Sequence, residues 1–141
     1  MIRVLATGTF DIVHPGHILY LQKAKELGDE LYVIVSRDSM VHHKPKPIIP
    51  EDQRLKIIQA LKVVDNARLG SERDIYEPLY LIKPDIIALG FDQHFDEGNL
   101  KEQLRRRHID AEVVRIAHAD TGVLSGTENI IKRIIKTRVR C

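Results

Sequence analysis

An α/β fold built on one parallel sheet is what this sequence predicts, and three observations predict it. Five short apolar runs rich in Val, Ile and Leu recur along the chain, and such runs read as strands buried on both faces. Segments with apolar residues three or four apart lie between them and read as helices. Strands separated by helices pair in parallel through right-handed crossovers. The expected architecture is a doubly wound, five-stranded parallel sheet of Rossmann-like type. At 141 residues it forms a single domain, 1–141, with helices on both faces of the sheet.

The elements follow in order. Ile2, Val4, Leu5 and Ala6 place the first strand at about 2–7. Ile18, Leu21, Ala24 and Leu27 share one helical face, giving a helix over about 17–28 that ends at Gly28. Leu31 to Val35 is the second strand. The polar stretch from Ser36 to Pro50 holds three prolines together with Lys44 and Lys46. Pro50-Glu51-Asp52 opens a helix, with proline in the first turn and acids near its positive end. That helix carries Leu55, Ile57, Ile58 and Leu61. Ala67-Arg68-Leu69 is a short third strand, and Asp74 to Ile82 a helix stopped before Pro84. Asp85 to Gly90 is a buried strand, 97–107 a charged helix, and Glu112 to Ile116 the last strand. A loop rich in Gly, Ser and Thr, 118–127, leads into a final helix reaching about 138.

Composition narrows the function classes. The 22 basic and 20 acidic residues nearly balance, without the basic excess of a dedicated nucleic-acid protein. The one cysteine, Cys141, rules out an intrachain disulfide, so a reducing, cytoplasmic setting is expected. No apolar run approaches the ~20 residues of a membrane span, and no basic-then-apolar leader opens the chain. Membrane and nucleic-acid partners are not expected.

Ligands of a doubly wound sheet lie beyond the carboxyl ends of its strands. Here those ends are Thr7 to Phe10, Ser36 to Asp38, Gly90 to Asp92 and Ala117 to Ala119. The first leads into Gly8-Thr9-Phe10-Asp11 and then His14-Pro15-Gly16-His17. A strand-to-helix turn of this kind offers amide N–H groups and a helix dipole to an anion, with Gly8 and Gly16 permitting close backbone approach. His14 and His17 both have reach into such a pocket. A single histidine at a helix start is more often a cap; two, behind a buried strand, favour function. Asp11 reads as a turn-former. Arg54 reads equally well as a phosphate contact and as a helix-surface residue, and Arg105 to Arg107 as a solvated face. His42 and His43 lack a third well-spaced ligand for zinc, so no protein metal site is expected. The Walker, dinucleotide-binding and nucleophile-elbow patterns are all absent.

These residues resemble the HxGH nucleotidyltransferase family, which includes cytidylyltransferases and small adenylyltransferases. The match comprises Gly8-Thr9-Phe10-Asp11 with His14, Gly16 and His17 at the family spacing. The resemblance implies transfer of a nucleotidyl group onto a phosphorylated acceptor, His14 and His17 stabilising the reacting phosphates. It places Thr9, Phe10, Pro15 and Gly16 against ATP, Asp92 of Gly90-Phe91-Asp92 at the ribose, and the base beside Ala117 to Ala119, with Ala119 the contact. Ser125 and Thr127 are expected at the β- and γ-phosphates, and Lys44 or Lys46 to fold over them on a mobile loop, Lys44 acting in catalysis. Mg²⁺ arrives with ATP. The Arg-Thr-Glu that opens the C-terminal motif of glycerol-phosphate cytidylyltransferases is replaced by Asp120-Thr121-Gly122. Lys46 to Arg54 and Lys83 to Gln93 look most like the archaeal FAD synthases, which transfer AMP to FMN. Adenylyl or cytidylyl transfer to a sugar phosphate or glycerol phosphate is the alternative, and a nucleotide sensor without turnover an alternative of another class. The family also implies a homodimer. Only 5% of residues are aromatic, so an isoalloxazine site must be mostly aliphatic, with Phe91, Phe95 or a tyrosine as its aromatic element.

Overall fold

The computed structural model describes residues 1–141 apart from 43, 92, 94, 95, 118–121, 123, 140 and 141. Its order is β1 (Arg3–Gly8), α1 (Pro15–Lys25), β2 (Glu30–Val35), α2 (Glu51–Gln59), β3 (Asn66–Leu69), α3 (Glu77–Ile82), β4 (Ile86–Leu89), α4 (Glu97–Arg106), β5 (Glu112–Arg115) and α5 (Thr127–Arg138). A one-turn 3₁₀ helix, Asp38–Met40, follows β2. All five strands are parallel, in the order β3-β2-β1-β4-β5. Chain order reverses between β1 and β4, which opens a crevice at their carboxyl ends.

Side-chain alternation divides the core into two layers. Val4, Ala6, Leu31, Val33, Val35 and Ala88 face one side, where Leu21 and Ala24 of α1 and Ile58 of α2 cover them. Leu5, Ile34, Ile87 and Leu89 face the other, under Leu79 and Ile82 of α3 and Leu100 and Leu104 of α4. The expected α/β fold is therefore observed, with its five strands as placed from the sequence. Among the described residues no helix is long and apolar enough to cross a membrane.

Several boundaries differ for local reasons. α1 begins two residues earlier than expected, because His14 is its N-cap and Pro15 takes the first helical position. It ends at Lys25, and Gly28 does not adopt a positive φ. A Cβ at Gly28 would meet the carbonyl of Ile2 at 2.8 Å, so close approach is what favours glycine there. Ile18 is only half-buried, and Ile57 is 44% exposed. Pro50 is the N-cap of α2 and lies just outside it. α3 is shorter than expected, because Asp74 accepts the Tyr76 amide in a turn ahead of it. It closes on Lys83, at φ 51° and ψ 60°, next to Pro84. Of the three arginines that close α4, Arg105 and Arg106 pair with Glu102 at the surface, while Arg107, the C-cap, lies over the Tyr76 ring, 4.1 Å from its centroid.

Candidate active site

The crevice between β1 and β4 is fixed by side chains that join the two strands as they part. The Tyr20 hydroxyl donates to the Ala88 carbonyl at 2.6 Å and accepts the Thr7 amide at 3.1 Å. Burial pushes the Tyr20 phenol well above its usual range, so it stays a donor. Gln93 donates to both the carbonyl and the hydroxyl of Thr7, each at 2.9 Å, and accepts the Gly90 amide. Arg115 donates to the carbonyls of Gly90 and Gln93 and pairs with Glu97. Tyr20 has the spacing of an ordinary helix-face residue, so nothing in the sequence separates it from packing.

The first turn is built differently from the expectation of open amides. His14 caps α1: its Nδ1 accepts the Gly16 amide at 3.0 Å. His17 completes a capping box, its Nδ1 accepting the His14 amide at 3.3 Å. The imidazoles thus take the places that Ser and Glu hold in the usual box. Pro15 has no N–H, and the His17 amide bonds the His14 carbonyl at 3.0 Å. The Gly16 and His17 N–H groups at the head of α1 are therefore satisfied internally. Gly8 and Gly16 also serve the fold. A Cβ at Gly16 would stand 2.5 Å from the Ser125 carbonyl, and one at Gly8 2.9 Å from the Phe10 ring.

With each Nδ1 accepting, each neutral imidazole carries its proton on Nε2. The rings stack at 3.8 Å with 27° between their planes. Two imidazolium ions at that distance repel. Burial, the adjacent His14 and the charge of Lys44 push His17 down from 6.5 to about 3, with Asp11 opposing. His17 is therefore a neutral Nε2–H donor near pH 7. Phe10 is only 3% exposed and meets the His17 ring edge-on at 5.4 Å, so its side chain belongs to the core and only its backbone remains for a nucleotide.

The segment between β2 and α2 is fastened in place. Both oxygens of the Asp11 carboxylate accept amides, those of Ile48 and Ile49, each at 2.9 Å. Lys46 Nζ donates to the carbonyls of Asp38 and Val41 at 3.0 and 2.8 Å, a strut inside the loop rather than a reach toward phosphate. Lys44 is exposed, and its charge acts on His17. Arg54 is neither a phosphate contact nor a surface residue. It is completely buried and donates to the carbonyls of Thr9, Ser36 and Ile49 and to Asp38. It falls one helical turn before Ile58, on the face that packs against the sheet, and so enters the core.

At the other end of the chain, the Thr127 hydroxyl donates to the Asp11 carbonyl at 2.7 Å and the Ser125 hydroxyl to the Gly122 carbonyl at 2.9 Å. Gly126 is the N-cap of α5, without a side-chain cap. The structure therefore brings Phe10, Gly16 and Lys44 to His14 and His17, sets the Ser125 carbonyl against Gly16 and ties Thr127 to the Asp11 carbonyl of the same turn, while the Thr9 carbonyl is held by Arg54. Phe91, also read as a candidate, is 56% exposed after β4. Asp92, Ala119, His43, Phe95 and Cys141 lie outside the described residues. Among the described residues, no group of three or more His, Cys, Asp or Glu is placed to hold a metal ion.

The chain is similar to several known proteins. A protein named FAD synthase from Archaeoglobus profundus is 58% identical over 135 residues, 96% of this chain and 87% of that protein. One of the same name from Methanosarcina mazei is 59% identical over 134 residues, 95% of this chain and 89% of the other. A crystal structure described as the lipopolysaccharide core biosynthesis protein from Thermoplasma volcanium superposes with a TM-score of 0.81. It is 50% identical and covers 85% of this chain and 99% of its own. The family profile described as Cytidylyltransferase-like matches residues 5–133. The chain belongs to the cytidylyltransferase-like family.

Proposed function

We propose that the chain is an adenylyltransferase that transfers AMP from ATP to FMN. A phosphate oxygen of FMN attacks the α-phosphorus of ATP, the bond from that phosphorus to the bridging oxygen breaks, and pyrophosphate leaves with FAD as product. The attacking phosphate is already ionised near neutral pH, so the protein needs no strong base. Its contribution is to position the two phosphates and to neutralise charge as it moves onto the leaving oxygens.

The single observation that carries this reading is the stacked His14–His17 pair at the head of α1, each ring's Nδ1 accepting a backbone amide so that Nε2 is the donor of each neutral ring. The relatives named FAD synthase support FMN as acceptor. In this reading His14 and His17 hold the α- and β-phosphates and Lys44 supplies the cation beside them. The backbone of Thr9 and Phe10 meets the nucleotide. Pro15 and Gly16 line the first turn of α1, Asp92 takes the ribose and Ala119 the base. The backbone N–H groups of Ser125 and Thr127 receive the β- and γ-phosphates. Mg²⁺ carried on the triphosphate would offset its charge; both Asp11 oxygens are already engaged by amides. The chain works as one domain and as a homodimer in the cytoplasm.

A second reading, a sugar phosphate as acceptor, is favoured by the description of the 50% identical Thermoplasma volcanium structure. Incubation with ATP and Mg²⁺ plus FMN, heptose phosphate, glycerol phosphate or phosphopantetheine separates the two. Pyrophosphate release and FAD formation with FMN alone is the expected result. Release with another acceptor and silence with FMN overturns it. ATP binding without release under any condition identifies a sensor.

A further inference from the structure

Two residues of the first turn hold backbone conformations that side chains with a Cβ resist: Phe10 at φ 56° and Ile12 at φ 49°. Ile12 is β-branched, which makes its case the harder one. Strain of this kind persists only where the surroundings over-determine it, and it gathers at functional sites. Here the carbonyl just before each strained residue is held by a side chain from a distant element. Arg54 Nη1 donates to the Thr9 carbonyl at 2.6 Å, across 45 residues of sequence. Thr127 Oγ1 donates to the Asp11 carbonyl at 2.7 Å, across 116 residues. The turn leads directly into His14, the cap of α1.

We propose that the Thr127 hydroxyl is a positioning group, which clamps the left-handed Ile12 turn and through it sets the two imidazoles. A hydroxyl has one proton to give, and in this geometry it is given to Asp11. Using it on a phosphate means releasing the turn that delivers the histidines. The purpose of the clamp rests on the adenylyltransferase reading above. The clamp itself is a property of the fold and is testable without turnover.

The test is a cycle of Thr127→Val, Ile12→Gly and the double variant, with Thr127→Ser as the conservative control. Glycine adopts a positive φ without strain, so with it the turn should keep its shape unclamped. Thr127→Val is expected to lower the melting temperature by about 3–5 °C, whereas Thr127→Ser keeps the parent value. Ile12→Gly should be more favourable to the melting temperature in the parent, where the strain is held, than in the Thr127→Val background, where the unclamped turn has already relaxed. For FAD formation, Thr127→Val should lose kcat by about tenfold with KM for ATP within roughly twofold, and the double variant should recover most of that kcat. Additive melting shifts overturn the proposal. So does a Thr127→Val protein with the parent's melting temperature and a KM for ATP raised about tenfold, the signature of a lost phosphate ligand. If the parent makes no FAD, coupled melting shifts still support the clamp and it is the activity reading that falls.

Discussion

Arg54 offers the sharpest check on how this site is held together. Replacing it with Met keeps a long side chain in the core and removes every donor. Three carbonyls lose their partner: Thr9, Ser36 and Ile49. Asp38, whose side chain is 43% exposed, recovers water and adds little. The carbonyls are less fortunate, because Arg54 is fully buried and Thr9 only 9% exposed. A buried acceptor left without a donor costs about 1–3 kcal/mol. With Ile49 partly solvated, the expected loss is about 3–5 kcal/mol. That is in the range for breaking a buried charged contact, and corresponds to roughly 10–20 °C in melting temperature at this chain length. Circular dichroism with urea titration measures it directly. Arg54→Lys keeps a charge and at least one donor and should fall between. A loss below about 1 kcal/mol for Arg54→Met would refute the reasoning, since it means water or a neighbour satisfies these carbonyls as well as the guanidinium does.

Other outcomes follow from the same geometry. His14→Ala removes a helix cap and should cost about 1 kcal/mol while lowering turnover by at least roughly a hundredfold. His14→Asn restores the cap and the melting temperature but not turnover, which separates the two roles. Lys44→Ala should lower kcat/KM for ATP without altering stability, because its side chain is exposed, whereas Lys46→Ala should loosen residues 38–46, read as faster amide exchange there. His17 is held far below its ordinary 6.5, so between that value and about 3 the unfolded chain binds a proton that the folded chain does not. Stability should therefore fall as pH drops below 6.5, and more steeply in the parent than in His17→Asn; equal slopes in the two proteins would contradict the assignment.

Much of the architecture was readable beforehand, and the reason is physical. Runs such as Leu31 to Val35 and Ile86 to Leu89 are buried on both faces, so their composition declares them. Strand ends then locate the crevice by topology alone. The ends of the helices were less readable. Pro15, Glu26 and Glu77 take their places from caps and turns whose partners lie a few residues outside any periodic pattern. Arg54 escapes the sequence pattern for a related reason. Periodicity marks the buried face of α2, but a charged residue on that face is expected only once three carbonyls are known to converge there.

The site residues show the same division more sharply. Sequence names groups able to donate a hydrogen bond; it does not say to whom they give it. Gly16, Lys46 and Thr127 all carry donors that suit a phosphate, and the folded chain spends each on a partner of its own: His14, the carbonyls of Asp38 and Val41, and the carbonyl of Asp11. The consequence for catalysis is favourable. In the proposed reaction, a turn whose amides are already bonded has little left to rearrange when a triphosphate binds. The imidazoles stand where their own backbone contacts put them, and donors fixed before charge develops lower a barrier without a reorganisation cost. Under the clamp proposed above, the strained φ of Ile12 is the cost of preorganisation, set in the fold and met by Thr127 rather than by the substrate.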